Sequence, residues 1–324
     1  MPRVAPETTA LVTGAAGFIG SHLVDRLLAR GARVIGLDNM VLGRRANLES
    51  ALKSQNFSFC QIDVNNLEEC VEFLREASRS KPISAVWHLA ANSDIQAGGR
   101  QPEVDLDRTF MTTFNVLKLM ESLAIPDIVF ASSSAIYGVH NRPLREDTGP
   151  LFPISNYGAM KLASEAIISA AVERFVERAW ICRFPNVIGS RATHGIIYDF
   201  LKKLRSNPKE LEVLGDGTQE KPYLHASELI DAMLFIFECS SERLNYFNIA
   251  PERGSTTVRY IAEAVVRAAA AGAAIRYTGG SRGWVGDVPR FEYSTEKLRA
   301  LGWSPTLSSN EAVELAIREN LENG

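Results

Sequence analysis

Tyr157 and Lys161 stand four residues apart in the run SNYGAMKLASEAI, Ser155 to Ile167. Four residues is one helical turn, so in a helix the phenol and the ammonium lie one above the other on the same face. An ammonium in that place favours the phenolate, the form that can take up a proton. A tyrosine with a reference pKa of about 10 needs a drop of roughly three units, near ~4 kcal/mol, to work as a base at neutral pH. Any helix can carry such a pair, so its meaning depends on the rest of the chain.

A second group of residues can hold an anion. LVTGAAGFIGSHLVDRLLARG sets Gly14, Gly17 and Gly20 after an apolar run and at the start of a helical pattern. A glycine-rich turn there lets backbone N–H groups and the positive helix end approach a pyrophosphate with no Cβ in the way. The next apolar run ends in Leu37-Asp38-Asn39, which puts Asp38 18 residues after Gly20. A carboxylate at that point binds adenosine ribose hydroxyls and repels a 2′-phosphate, so the pair of signals predicts NAD rather than NADP. Asp63-Val64, after a third run, is placed to meet the adenine, although an aspartate after a strand is also ordinary turn chemistry.

These residues need elements to carry them, and the first half of the chain supplies a regular alternation. Strand-like runs are expected at 10–12, 33–37, 57–62, 85–89, 127–131 and 180–184, with helical patterns near 18–29, 66–79, 105–123 and 157–177. Strands alternating with helices predict an α/β fold, a Rossmann-type doubly wound parallel sheet with helices on both faces. From about Asn186 the alternation breaks into loops, short strands and helices, so we divide the chain into a NAD-binding domain, 1–186, and a smaller α/β substrate lobe, 187–324. The run Tyr246 to Ile249 is strand-like, and a return to the sheet is expected near 245–250.

The bulk properties narrow the class of partner. The chain has 324 residues, 46% hydrophobic and 23% charged, enough for a large core or two lobes. A net charge of -3 offers no polycationic surface for nucleic acid, and no apolar run approaches the roughly 20 residues of a membrane span. Cys60, Cys70, Cys182 and Cys239 lack C-x-x-C spacing and sit among apolar residues, so buried free thiols in a reducing cytoplasm are expected. The N-terminus has no signal-peptide pattern.

The combination GAAGFIG, LDN, HLAA, SSSAIYG and YGAMK resembles the extended short-chain dehydrogenase/reductase family, in its group of NAD-dependent nucleotide-sugar epimerases and dehydratases typified by the UDP-galactose 4-epimerases. RFPNVIG, GDGTQEKPYLH and WVGDVPRFEYSTEKLRALGW extend the resemblance over nearly the whole chain. It implies that Tyr157 is the acid/base, that Lys161 lowers its pKa and holds the nicotinamide ribose, and that Ser133 completes the triad. The offset of four from Tyr137 selects Ser133 from Ser132, Ser133 and Ser134. Further cofactor contacts are implied for Phe18, Ile19, Asn39, Leu89, Ala90 and Ala91, and substrate contacts for Ser93, Asn186, Thr193, His194, Lys221, Tyr223, Arg282 and Asp287. A homodimer is implied through the helices near 105–123 and 157–177.

Within that group the fate of a 4-keto sugar separates the members. Dehydratases carry an Asp-Glu pair after the catalytic hydroxyl residue and the decarboxylases a Glu, where this chain has Ser134-Ala135. An alanine can neither abstract a proton nor protonate a leaving hydroxyl, which disfavours elimination and leaves 4-epimerisation of a nucleotide sugar, most simply a UDP-sugar. The alternative is another sugar-modifying member of the group: a UDP-hexuronate epimerase, a dehydratase or a net dehydrogenase. Three departures bear on the sugar. Trp284 stands where relatives place an arginine three residues before Asp287, with Arg282 the nearest upstream. Ser93 and Lys221 replace a lysine and an arginine, and an acidic sugar could be met by Arg191 or Arg282. The reading calls for NAD and for no metal.

Overall fold

The computed structural model describes residues 3–5, 8–140, 142–251, 254–280 and 292–322. The first half runs β1 (Thr9–Thr13), α1 (Phe18–Ala29), β2 (Arg33–Asp38), β3 (Phe57–Gln61), α2 (Leu67–Ala77), β4 (Ala85–His88), α3 (Ile95–Arg100), α4 (Pro102–Asp105), α5 (Met111–Leu123), β5 (Asp127–Ser133), α6 (Asn156–Val172) and β6 (Arg178–Phe184). The second runs β7 (Asn186–Ile188), α7 (Ile196–Ser206), β8 (Glu210–Val213), β9 (Glu220–Lys221), β10 (Tyr223–His225), α8 (Ala226–Cys239), β11 (Leu244–Asn248), β12 (Thr256–Thr257), α9 (Val258–Ala269), β13 (Ala274–Tyr277), α10 (Glu296–Leu301) and α11 (Ser309–Glu322).

Seven strands form one sheet in the order β11-β6-β5-β4-β1-β2-β3. The pairings β1 with β2, β1 with β4, β2 with β3 and β4 with β5 are parallel. Strand order reverses between β1 and β4, the point at which doubly wound sheets open a crevice beyond their carboxyl ends. β1, TALVT, is buried along its whole length, as a central parallel strand covered on both faces must be. Packing divides the chain into two units: Met1–Ile136, Phe152–Arg183 and Met233–Phe247 form the first, and Tyr137–Leu151, Phe184–Ala232 and Asn248–Gly324 the second.

The first unit's apolar cluster joins Leu11, Ile35 and Val86 of the sheet to Leu74 of α2, Val116, Leu119 and Met120 of α5, and Ile168 and Val172 of α6. The second unit is held by helices: Ile197, Phe200, Leu201 and Leu204 of α7 recur at i, i+3, i+4 and i+7 and meet α9 and α11 in a separate cluster. Each of these side chains contributes about 1.5–3 kcal/mol relative to exposure. Short strand pairs, β7 with β10, β8 with β13 and β9 with β12, frame that unit.

Several expectations need correction. The helix expected over 105–123 is built in pieces: α4 starts with Pro102 in its first turn, a π-helical turn follows over Leu106–Phe110, and α5 begins at Met111. Proline lacks only an N–H that the first turn would leave unpaired anyway. The helix expected to reach 177 stops at Val172, because the Ala171 carbonyl takes the N–H groups of Arg174, Phe175 and Val176 and turns the chain toward β6. All four cysteines are free, but Cys239 is exposed and Cys60 half-buried, so only Cys70 and Cys182 are buried thiols. Cys60 lies on β3, the last strand of the sheet, where cover is thinner. Among the described residues, no helix is long and apolar enough to cross a membrane.

Candidate active site

β1 hands the chain to α1 through Gly14 to Gly17. A Cβ on Gly20 would sit 1.9 Å from the Gly14 carbonyl oxygen, so only glycine lets α1 close onto this loop. No side chain caps α1 and its first turn carries no acid, which leaves its leading N–H groups and positive end for an anion. Gly14 and Ala15 donate to the Leu37 carbonyl at 2.8 and 3.1 Å and tie the loop to β2. Phe18 and Ile19 are half-buried.

Asp38 ends β2, 7% exposed, with one carboxylate oxygen accepting from Ala16 N at 3.0 Å and the other from Met40 N at 2.8 Å. Burial raises its pKa, opposed by those backbone N–H groups and that of Gly17. The carboxylate is therefore a brace for the loop, and its remaining lone pairs can still accept from hydroxyls. Beside it, Asn39 donates to Asp63 at 2.8 Å, which brings the ends of β2 and β3 together, with Val64 buried behind them.

Leu89, Ala90 and Ala91 follow β4 and are half-buried. They are held by a network whose members sequence reasoning did not single out. Thr113 donates to the Thr109 carbonyl at 3.1 Å, so His88 Nε2–H donates to Thr113 at 3.0 Å and Nδ1 accepts from the Thr13 hydroxyl at 2.7 Å. Thr13 in turn accepts from Ala90 N at 3.3 Å. Burial pushes the imidazole down to about 3, and Lys161 adds to the effect, so His88 is a neutral clamp across β1, β4 and α5.

α6 carries Tyr157 and Lys161. Ser155 caps it by accepting from Gly158 N at 3.1 Å. A Cβ at Gly158 would lie 2.3 Å from the Ala135 carbonyl oxygen, so this glycine lets the start of α6 lie directly on the turn after β5. That contact brings Tyr157 near Ser133, whose hydroxyl favours the phenolate and accepts from Ala135 N at 3.2 Å. Ser132 is committed elsewhere: it donates to Glu165, a buried carboxylate on α6.

Lys161 is 2% exposed, donates to the Ala131 carbonyl at 2.6 Å, and sits 4.6 Å from the Phe130 ring centre and 5.8 Å from that of Tyr157. Burial pulls its pKa down to about 7, against the pull of Glu165. Burial likewise pushes Tyr157 up to about 12, with the Ser133 bond opposing and the charge of Asp105 adding. Burial and the charge of Asp105 thus favour the protonated phenol in the chain alone. A drop toward neutrality needs positive charge held close to the phenol.

Asp105 was not foreseen. It is fully buried, accepts from Asn92 Nδ2 at 2.7 Å and leaves its second oxygen without a partner among the described residues. Asn92 also donates to the Asp94 carbonyl at 2.9 Å, which shapes the turn carrying the exposed Ser93.

In the second unit the expected substrate residues lie on separate pieces. Asn186 is exposed on β7 opposite Tyr223 of β10. Tyr223 is 5% exposed within the apolar cluster and its N–H donates to Ser309 at 3.0 Å. Lys221 is half-buried on β9, paired in register with Thr256. Thr193 and the exposed His194 share a hydrogen bond of 3.1 Å in the loop after Arg191, a residue in the left-handed region at φ 65°. Arg282 and Asp287 lie outside the described residues.

The family model of the NAD dependent epimerase/dehydratase family matches residues 10–250. A crystal structure of UDP-galactose 4-epimerase is 33% identical, with a TM-score of 0.83 over 98% of this chain and 99% of that one. The Thermus thermophilus UDP-glucose 4-epimerase, solved in complex with NAD, is 29% identical with a TM-score of 0.82 over 96% of this chain and 98% of that one. The UDP-glucuronate 4-epimerase of Thermodesulfobacterium geofontis is 29% identical over 97% of this chain and 96% of its own length. A glycine loop on an uncapped helix, a carboxylate at the end of β2 and a match across most of the sequence lead to one conclusion: the chain belongs to the NAD dependent epimerase/dehydratase family.

Proposed function

We propose that the protein is an NAD-dependent nucleotide-sugar 4-epimerase, with a UDP-sugar as substrate, working through a transient 4-keto sugar. The observation that carries this reading is that Tyr157 and Lys161, one turn apart on α6, meet Ser133 at the end of β5, where the residues that follow, Ser134 and Ala135, offer no acid for elimination.

The cradle fits NAD. The space a Cβ would fill at Gly20, the uncapped α1 and the braced Asp38 suit a pyrophosphate and a ribose with a free 2′-hydroxyl. When bound, NAD supplies the site with a hydride acceptor and donor and with a positive nicotinamide ring. Tyr157 takes the proton of the sugar's 4-hydroxyl and later returns it, with the nearby Ser133 hydroxyl placed to share that proton. Lys161 holds positive charge one turn away, which stabilises the phenolate. Asn186, Lys221 and Arg282 are assigned to the nucleotide diphosphate, with Thr193, His194 and Asp287 beside the sugar or base. A UDP-hexuronate is the second reading, supported by the UDP-glucuronate 4-epimerase relative and by Arg191. A homodimer is supported by exposed apolar side chains, Leu106 and Phe114, at the π turn and on α5, and a cytoplasmic setting by the free cysteines.

The test is a panel of nucleotide sugars labelled with deuterium at C4. The expected product is the C4 epimer retaining its deuterium, with no stoichiometric rise in NADH absorbance. Released keto sugar with accumulating NADH would make the protein a dehydrogenase, and deuterium at C6 would make it a dehydratase.

A further inference from the structure

Tyr157, Lys161 and Glu165 follow one another at i, i+4 and i+8 along α6 and share one stripe of its surface. The proposed reaction uses the first two. Glu165 is 6% exposed and fully engaged: Arg183 of β6 grips it through Nε at 3.0 Å and Nη2 at 2.6 Å, and Ser132 of β5 donates to it. Arg183 is itself 7% exposed, and its guanidinium lies 5.6 Å from the ring centre of Tyr246.

Stability alone is a weak reason for such a pair, since replacing a buried ion pair with well-packed apolar residues is often neutral or stabilising. Its position gives a better one. The ammonium of Lys161 makes one hydrogen bond among the described residues, to a neutral carbonyl, and otherwise faces the Phe130 ring. An ammonium so buried loses its proton unless a negative charge is fixed nearby.

The groups around Lys161 leave Glu165 as the source of that charge. β4 presents His88, which is neutral. β5 presents Phe130, Ala131 and Ser132, none of them ionisable. β6 presents Arg183, bound to Glu165. The buried Asp105 of α4 acts on Tyr157. The other charged side chains of α3, α4, the π turn and α5, namely Arg100, Glu103, Asp107, Arg108, Lys118 and Glu121, are exposed and screened by solvent.

We infer that Glu165, fixed by Ser132 and Arg183, is a positioning residue that keeps Lys161 charged so that Lys161 can stabilise the Tyr157 phenolate. This rests on the roles proposed above for Tyr157 and Lys161. Ser132 and Ser133 then divide the work of adjacent strand positions: one hydroxyl orients the counter-charge and the other meets the phenol.

The decisive measurement is the titration of Lys161 itself, followed by the ¹³Cε signal of labelled lysine in the NAD-loaded protein and assigned with Lys161→Arg. Glu165→Gln leaves Arg183 buried without its partner, so it is paired with the double variant Glu165→Gln/Arg183→Leu, which removes both charges together. Both variants are expected to lower the Lys161 midpoint by at least about one pH unit, a tenfold change in its proton affinity. With the nucleotide sugar that wild type accepts, kcat is expected to fall at least tenfold at pH 8 and less at pH 6, with NAD affinity changed by less than threefold. A double variant that is folded, by circular dichroism, and keeps the wild-type Lys161 midpoint overturns the proposal. So does a pH-independent loss of kcat, the mark of a merely structural pair. A wild-type Lys161 already neutral at pH 6 overturns it whatever the variants do. Should wild type turn over no nucleotide sugar, the functional reading fails, while the midpoint still decides the role of Glu165.

Discussion

The unit that holds the glycine loop and the unit that holds the expected sugar contacts are built by different means. In the first, main chain fixes the site: Gly20 closes on the Gly14 carbonyl, Gly158 lies on the Ala135 carbonyl, and Asp38 takes two loop N–H groups. In the second, Asn186, Lys221, Thr193 and His194 stand on short strands and a loop. The glycine loop is thus set by constraints that few residue types satisfy, whereas the proposed sugar contacts stand on those short strands and that loop. A family can keep the first and vary the second.

That contrast is tested most sharply at Tyr157. Tyr157→Phe keeps the ring and the packing, so NAD affinity should stay while kcat falls by about 10²–10⁴-fold. Retention of more than about a tenth of kcat would remove the acid/base role. The next largest effect concerns His88. Its pKa is lowered from 6.5 to about 3 in the fold, so the folded chain binds fewer protons than the unfolded one between those values. Its contribution to stability is complete above pH 6.5 and is lost as pH falls toward 3, at up to about 1.4 kcal/mol per pH unit. Urea unfolding between pH 6.5 and 4 should show a steeper decline for wild type than for His88→Gln, and parallel declines would mean that His88 is not held neutral.

Cofactor choice gives a smaller effect. Wild type should bind NAD at least about tenfold more tightly than NADP, because Asp38 repels a 2′-phosphate, and Asp38→Asn should narrow the ratio. Equal isotherms for the two on wild type would contradict the repulsion. The smallest effect belongs to the other unit: Lys221→Ala should raise KM for the nucleotide sugar about three- to tenfold with kcat and NAD affinity held. A fall in kcat instead would mean that this lysine acts in the reaction, and the contrast between the units would blur.

The sequence made Tyr157, Lys161, Gly14, Gly20 and Asp38 visible because their meaning lies in local spacing, one helical turn or one strand-to-helix turn. Gly158 was within reach by the same logic, as a glycine in the first turn of an otherwise good helix. His88, Asp105 and Glu165 were harder, since their partners Thr113, Asn92 and Arg183 become neighbours only when strands and helices pack. Spacing alone does not report the burial that raises the Tyr157 phenol in the folded chain. The packing of Tyr223 was hidden for a related reason: its place in the apolar cluster is set by how the strands and helices of its unit pack.

The order in which the chain is synthesised adds a consequence to the placement of β11. This strand is the outer neighbour of β6, yet about 60 residues separate the two in sequence. At 5–20 residues per second, the ribosome leaves the outer edge of β6 without its neighbour for roughly 3–12 seconds. An open edge is a template for pairing with other chains, so this interval exposes the nascent protein to association through β6. Polypeptides ending before Leu244 carry that edge permanently and are expected to aggregate where the full chain does not.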